Sequence, residues 1–137
     1  MTPQELAATH HAAFGENDAW SASAFRSLIA QNGMILCGDV RSFVLGRVTV
    51  DEAEIITVAT DPAYQRQGLG AATLTAFETS AKAQGATRVF LEVAADNDPA
   101  IALYNKQKYT PVGLRQNYYA RTNGPNADAH VLEKKLC

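Results

Sequence analysis

The sequence predicts one mixed α/β domain over residues 1–137, with a central, mostly antiparallel sheet of about six strands flanked by about four helices. Hydrophobic periodicity gives the order helix, helix, strands, helix, strand, helix, strands. The chain has 137 residues, 47% of them hydrophobic, which suffices for one core and is too short for two ordinary domains. A helix-like segment over 69–84 separates two strand-like runs. It is long enough for a right-handed crossover, so those two strands are expected to be parallel neighbours.

The elements follow in order. Thr2 to Ala13 carries Leu6, Ala7 and His10 at near-helical spacing. Ser21 is placed to cap a second helix that carries Phe25, Leu28 and Ile29, runs to about Gln31 and ends at Asn32-Gly33. Met34 to Cys37 is a short apolar strand, with Gly38-Asp39 as a turn. Arg41 to Val50 is a second strand in which Gly46 suggests a bulge. Asp51-Glu52 then turns the chain into Glu54–Thr60, a β-branched run closed by Asp61-Pro62. Gly85 stops the long helix, and Arg88 to Val93 is the next strand. Asp98, as N-cap, with Pro99 at the first helical position opens a helix to about Lys106. Lys108 to Leu114 and Ala129 to Leu136 form a closing pair around a loop at Thr122-Asn123-Gly124-Pro125-Asn126.

Composition narrows the function classes. A net charge of −2 gives no global basic character, so nucleic acid is not expected as a direct partner. No apolar run reaches the roughly 18 residues of a membrane span, and no basic-then-apolar leader opens the sequence. Cys37 and Cys137 suggest neither a disulfide framework nor a metal site, which reads as two reduced thiols in a cytoplasmic protein. His10, His11 and His130 have neither zinc spacing nor a nucleophile partner, and no metal is expected.

The densest functional signal is Gln65-Arg66-Gln67-Gly68-Leu69-Gly70, set between a strand and a helix start. Such a turn leaves backbone N–H groups pointing outward, and with the helix dipole they make a seat for a phosphate or pyrophosphate. Glycine there lets the ligand approach the backbone. Ala71-Ala72 follows Gly70, so this is not a Walker loop, and the spacing is not the dinucleotide fingerprint. An ordinary helix-entry turn is the alternative reading.

The loop resembles the pyrophosphate loop of the Gcn5-related N-acetyltransferases (GNAT), whose pattern is Gln/Arg-x-x-Gly-x-Gly/Ala. Asn97-Asp98-Pro99-Ala100-Ile101-Ala102-Leu103-Tyr104 resembles that family's second signature, Asn-x-x-Ala-x-x-Leu-Tyr. The resemblance covers about Glu54 to Leu136 well and the first fifty residues loosely. Within the family, Phe90-Leu91-Glu92-Val93, the Ala-Leu-Tyr run and Arg115-Gln116-Asn117-Tyr118-Tyr119 look like the bacterial ribosomal-protein-alanine N-acetyltransferases (RimI type). The resemblance implies a GNAT fold whose opening strand is missing or vestigial, since only Met1-Thr2 precede Pro3. It implies acetyl-CoA as cosubstrate, its pyrophosphate on the Gln65–Gly70 backbone with Arg66 or Gln67 adding contacts. It places Val58 and Thr60 along the pantetheine and Asn97 at the cofactor or its nearby backbone. The implied acceptor is a protein N-terminal α-amine, that of a ribosomal protein. Lys108-Tyr109 stands where the family usually has Gly-Phe, a departure at the turn after the signature helix.

Acetyl transfer requires the amine to lose a proton, the thioester carbonyl to be polarised and the departing thiolate to gain a proton. Glu92 is the candidate base: a lone carboxylate in an apolar strand, where burial would raise its pKa. The alternative is a strand Glu facing solvent or paired with an Arg. Tyr104 is the candidate acid, a role resting on the signature; the alternative is a core aromatic. Asn97 reads equally well as a helix-entry residue, and Tyr118-Tyr119 as core or as the wall of a peptide groove. Asp51, Glu52, Glu54, Glu92 and Asp128 are expected to border the opening and to steer basic tails. A small-molecule amine acetyltransferase and a non-catalytic CoA-binding module are the competing functions.

Overall fold

Thr2 starts the first helix, α1 (Pro3–Phe14). Its hydroxyl accepts from the Glu5 N–H, and the Glu5 carboxylate accepts in return from the Thr2 N–H at 2.8 Å, a reciprocal cap. Ser21 caps α2 (Ala22–Ile29) as expected, accepting from the Ala24 N–H. The computed structural model describes residues 1–16, 18–121 and 124–136; Thr122 and Asn123 of the predicted loop, and Cys137, lie outside them. The strands are β1 (Met34–Asp39), β2 (Ser42–Thr49), β3 (Glu52–Thr60), β4 (Arg88–Ala94), β5 (Thr110–Tyr119) and β6 (Ala127–Lys135). Between them lie α3 (Leu69–Ala83) and α4 (Asp98–Lys106). Among the described residues no strand precedes α1, and no helix is long and apolar enough to cross a membrane.

The six strands form one sheet in the order β1-β2-β3-β4-β6-β5. β3 and β4 run parallel, joined by the α3 crossover, and every other neighbouring pair is antiparallel. The side chains of β2 alternate between the two faces. Val44 joins Leu74, Phe77 and Ala81 of α3 on one face, while Phe43 and Leu45 join Leu6 of α1 and Phe25 of α2 on the other. Helices on both faces therefore bury a sheet of period two.

Local chemistry moves several boundaries. The β1–β2 turn falls at Val40-Arg41, because Asp39 stays in the strand and accepts from the Arg41 N–H and guanidinium at 2.9 and 2.7 Å. α2 ends at Ile29, before Gln31. Asn97, not Asp98, caps α4, its side-chain oxygen accepting from the Ala100 N–H at 3.3 Å. β5 continues to Tyr119, held by a ladder to β6 that resumes at Tyr119–Ala127.

Gly46 does sit at a bulge, but the extra residue is on the partner strand. Leu45 pairs with Thr57 and Gly46 with Ile55, so Ile56 is the inserted residue. A Cβ at Gly46 would run into the Phe77 ring, which is why glycine is needed there. The bulge turns the strand over: Ile55 packs in the α3-side core, whereas Thr57, two residues on, meets His10 of α1. β3–β4 pairing extends from Glu52–Arg88 to Ile55–Leu91, so among the described residues β3 has no partner on that side from Ile56 onward.

The Lys108-Tyr109 departure also has a physical account. Lys108 adopts the left-handed conformation (φ 73°) that closes α4, the backbone a glycine adopts without strain. Tyr109 buries its ring, and its hydroxyl donates to the buried Glu78 carboxylate at 2.8 Å, which also accepts from Lys134 Nζ at 2.9 Å. Lys108→Gly is expected to stabilise the fold by about 0.5–1 kcal/mol, relief of strain outweighing the freer unfolded chain. Urea denaturation midpoints at matched slope check this.

Candidate functional site

The bulge and the end of β3–β4 pairing open a wedge in the sheet, and two clefts meet there. The larger, about 720 Å³, is lined by His10, Phe14 and Trp20 on one side and by Ile56, Thr57, Glu92, Tyr119 and Arg121 on the others. The smaller, about 410 Å³, runs along Gln65, Arg66, Gly68, Leu69, Gly70 and Thr60 to the flank of α4. Phe14, Val58, Asn97, Pro99, Ala100 and Tyr104 line both, so the clefts share a wall. The structure therefore brings every predicted catalytic and cofactor-binding residue except Gln67 to this system; Gln67 is exposed and lines neither cleft.

The loop leaves a run of backbone N–H groups unengaged. Arg66 (φ 64°) and Gly68 (φ 77°) both take left-handed backbone, and Gly68 is the N-cap of α3. Among the described residues, no hydrogen bond engages the backbone N–H groups of Arg66, Gln67, Gly68, Leu69 or Gly70. Nothing lies within 4 Å of where a Cβ on Gly68 would stand, so the loop is open on that side. Gly70 has a different reason to be glycine: a Cβ there would press on Leu103 of α4 at 3.3 Å.

Tyr104 is buried at 5% exposure and stands at the junction of the clefts. Burial pushes its hydroxyl well above the usual tyrosine value, with the nearby Tyr119 adding to the effect. It is protonated at neutral pH, and among the described residues its hydroxyl makes no hydrogen bond. Asn97 caps α4 while it lines both clefts, so its helix-entry role and its site position coexist.

Glu92 corrects one expectation. Its side chain is 26% exposed rather than sealed in the core, and it pairs with Arg115 Nε of β5 at 3.1 Å. It nonetheless lines the larger cleft. Tyr119 lines the same cleft, while Tyr118 is 50% exposed and lines neither. The acidic border is also different from that expected. Asp51, Glu52, Glu54 and Asp128 line neither cleft; Glu52 is bound to Arg88 at 2.8 Å and Asp128 accepts from the Asn117 N–H at 2.9 Å. Asp18 and Asp96 join Glu92 instead, against Arg121, which forms two hydrogen bonds to Asp96 at 2.8 and 2.9 Å. The walls of the larger cleft thus carry three carboxylates against one guanidinium.

His10 carries no catalytic or metal signal in the sequence, where it reads as a structural or surface residue. It is buried (2% exposed), stacks on Trp20 and contacts Phe14 and Phe25. Burial lowers its pKa to about 4, opposed in part by the charge of Asp18. The unfolded chain takes up that proton near the ordinary value of 6.5, so native stability is lost as pH falls from 6.5 toward 4. Between pH 7 and pH 5 the expected loss is about 2 kcal/mol, and His10→Phe should flatten that slope. Denaturation midpoints at the two pH values check it. Among the described residues, no group of His, Cys, Asp and Glu is placed to hold a metal. Cys37 lines neither cleft; its Sγ lies 3.9 Å from Ser80 Oγ.

Comparison with known proteins fits this geometry. Residues 3–109 match the model of the acetyltransferase (GNAT) family. The chain is 40% identical over 95 residues to the [ribosomal protein bS18]-alanine N-acetyltransferase of Escherichia coli K12, a match that covers 69% of the chain and 64% of that protein. It is 37% identical over 130 residues to the N-alpha-acetyltransferase RimI of Mycobacterium tuberculosis, covering 88% and 78%. The crystal structure of the ribosomal-protein-S18-alanine N-acetyltransferase from E. coli superposes with a TM-score of 0.86 at 30% identity, covering 97% of the chain and 86% of that structure. Ard1 from Thermoplasma volcanium shares the fold with a TM-score of 0.84 at 24% identity, covering 100% and 95%. The chain belongs to the GNAT acetyltransferase family.

Proposed function

We propose that the protein is an acetyl-CoA-dependent N-acetyltransferase that acetylates the N-terminal α-amine of a protein, a ribosomal protein, in the cytoplasm. The observation that carries this reading is the junction of the two clefts at Val58, Asn97 and Tyr104. One cleft begins at a row of free N–H groups suited to a pyrophosphate, and the other opens beside a carboxylate. A cofactor and an acceptor entering from opposite sides would meet at the shared wall. The relatives named for α-amine acetylation support the acceptor class.

In this reading the Gln65–Gly70 backbone holds the pyrophosphate, and Arg66 adds its charge. Val58 and Thr60 lie along the pantetheine on the edge of β3 that has no partner strand, where free backbone groups can bond it and polarise the thioester oxygen. Asn97 borders the same channel. Bound acetyl-CoA supplies the thioester and a thiolate leaving group. Glu92 takes the proton of the incoming ammonium, directly or through one water, and an α-amine near pKa 8 needs only a modest base. Tyr104 starts protonated and gives its proton to the thiolate, and it is reprotonated, through water, by the second proton that the nitrogen sheds as the amide forms. The acetyl group passes directly from sulfur to nitrogen, with no acyl-enzyme.

The test is acetyl-CoA turnover on a peptide beginning Ala-Arg against spermidine and free alanine. The peptide should be preferred. Preference for either free amine by an order of magnitude would replace this reading with a small-molecule acetyltransferase, and no turnover on any amine would leave a CoA-binding module.

A further inference from the structure

Three groups in the larger cleft form a hydrogen-bond chain that can run in only one direction. The backbone N–H of Trp20 has only a proton to give, and gives it to His10 Nδ1 at 3.1 Å. Nδ1 is therefore the acceptor nitrogen. Burial keeps the ring neutral at neutral pH, so its single proton sits on Nε2. Nε2 lies 3.2 Å from Thr57 Oγ1, and Thr57 must accept. The hydroxyl proton of Thr57 is left over, and no other hydrogen bond engages that hydroxyl among the described residues.

Thr57 is 8% exposed and lines the same cleft as Glu92. The bulge at Ile56 is what turns it toward His10 and this cleft. A committed donor on a buried residue calls for an acceptor atom on whatever fills the cleft. The acceptor amine is not that atom: protonated, it has only donors, and deprotonated, its lone pair is needed for attack. The next polar atom on every peptide N-terminus is the carbonyl oxygen of the first residue, which polyamines and alkylamines lack.

We propose that the Thr57 hydroxyl, oriented by His10 and Trp20, donates a hydrogen bond to the first carbonyl oxygen of the acceptor and so selects peptide N-termini over simple amines. This rests on the larger cleft being the acceptor side of an acetyltransferase. A site built to bond a substrate oxygen discriminates strongly against acceptors without one, because its own donor is otherwise stranded.

The experiment compares a peptide amide beginning Ala-Arg with its analogue carrying sulfur for oxygen in the first peptide carbonyl, a weaker acceptor. kcat/KM on both is measured for wild type, Thr57→Val and Thr57→Ser, with KM for acetyl-CoA and the thermal midpoint of each variant. Wild type should prefer the oxygen peptide roughly tenfold, Thr57→Val should lose most of that preference, and Thr57→Ser should keep it. A Thr57 that only props His10 would slow both peptides equally, and an intact preference in Thr57→Val overturns the proposal. Equal use of both peptides by wild type overturns it as well. Wild type that acetylates spermidine but neither peptide overturns the acceptor class itself, a failure distinct from the other two.

Discussion

Tyr104→Phe and Glu92→Gln are each expected to lower kcat by about 10²–10⁴-fold, the range for loss of one general acid or base. Phe keeps the buried ring and its edge contact with Tyr109, so the loss falls on the proton rather than on packing. Because burial holds the Tyr104 hydroxyl above its ordinary value, it stays protonated across the usual assay range, and the Tyr104→Phe deficit should be nearly constant with pH. Gln keeps the shape of Glu92 but cannot take a proton. It also leaves Arg115 without its counterion, a rim contact whose loss should cost little stability because Arg115 is more than half exposed. Steady-state rates across pH with an N-terminal peptide are the measurement. Near-full turnover by both variants would remove these residues from the chemistry.

Gly68→Val should raise KM for acetyl-CoA strongly, roughly tenfold or more if even one charge-assisted contact to the pyrophosphate is lost. Two effects combine. A β-branched residue is forced into left-handed backbone, with a strain of about 1–3 kcal/mol, and its side chain fills the open space beside Gly68 in the cleft that the loop lines. Gly68→Asn separates them, since Asn tolerates that backbone and still places a side chain in the space. Gly70→Ala makes a contrast, because its Cβ meets the Leu103 side chain of α4 rather than open space. Unchanged acetyl-CoA affinity in a folded Gly68→Val protein would rule the loop out as the phosphate seat.

The fold was legible where local signals are strong. The cap at Ser21, the stop at Gly85 and the crossover length of α3 placed helices and the parallel β3–β4 pair. Boundaries moved where neighbouring side chains compete for one role, as when Asn97 caps α4 in place of Asp98. The cofactor side of the site could be read because Gln65–Gly70 and Asn97–Tyr104 are short contiguous motifs. Of the acceptor side, only Glu92 and one of the two readings of Tyr119 could be read. His10, Thr57, Glu92, Asp96, Tyr119 and Arg121 come from separate elements, and their meeting depends on a bulge at Ile56 that no Gly or Pro in β3 announces. For the same reason Glu92 looked buried: alternation within its strand says nothing about Arg115 reaching it from β5, beyond β6.

The central claim is that cofactor and acceptor enter separate clefts and react where the clefts join, without passing the acetyl group through the protein. Initial velocities against acetyl-CoA at several fixed concentrations of an Ala-Arg peptide test this directly. Both substrates bound together give reciprocal plots that intersect, and no acetyl group accumulates on the protein. Parallel plots, with acetyl found on Cys37 or another side chain, would contradict it.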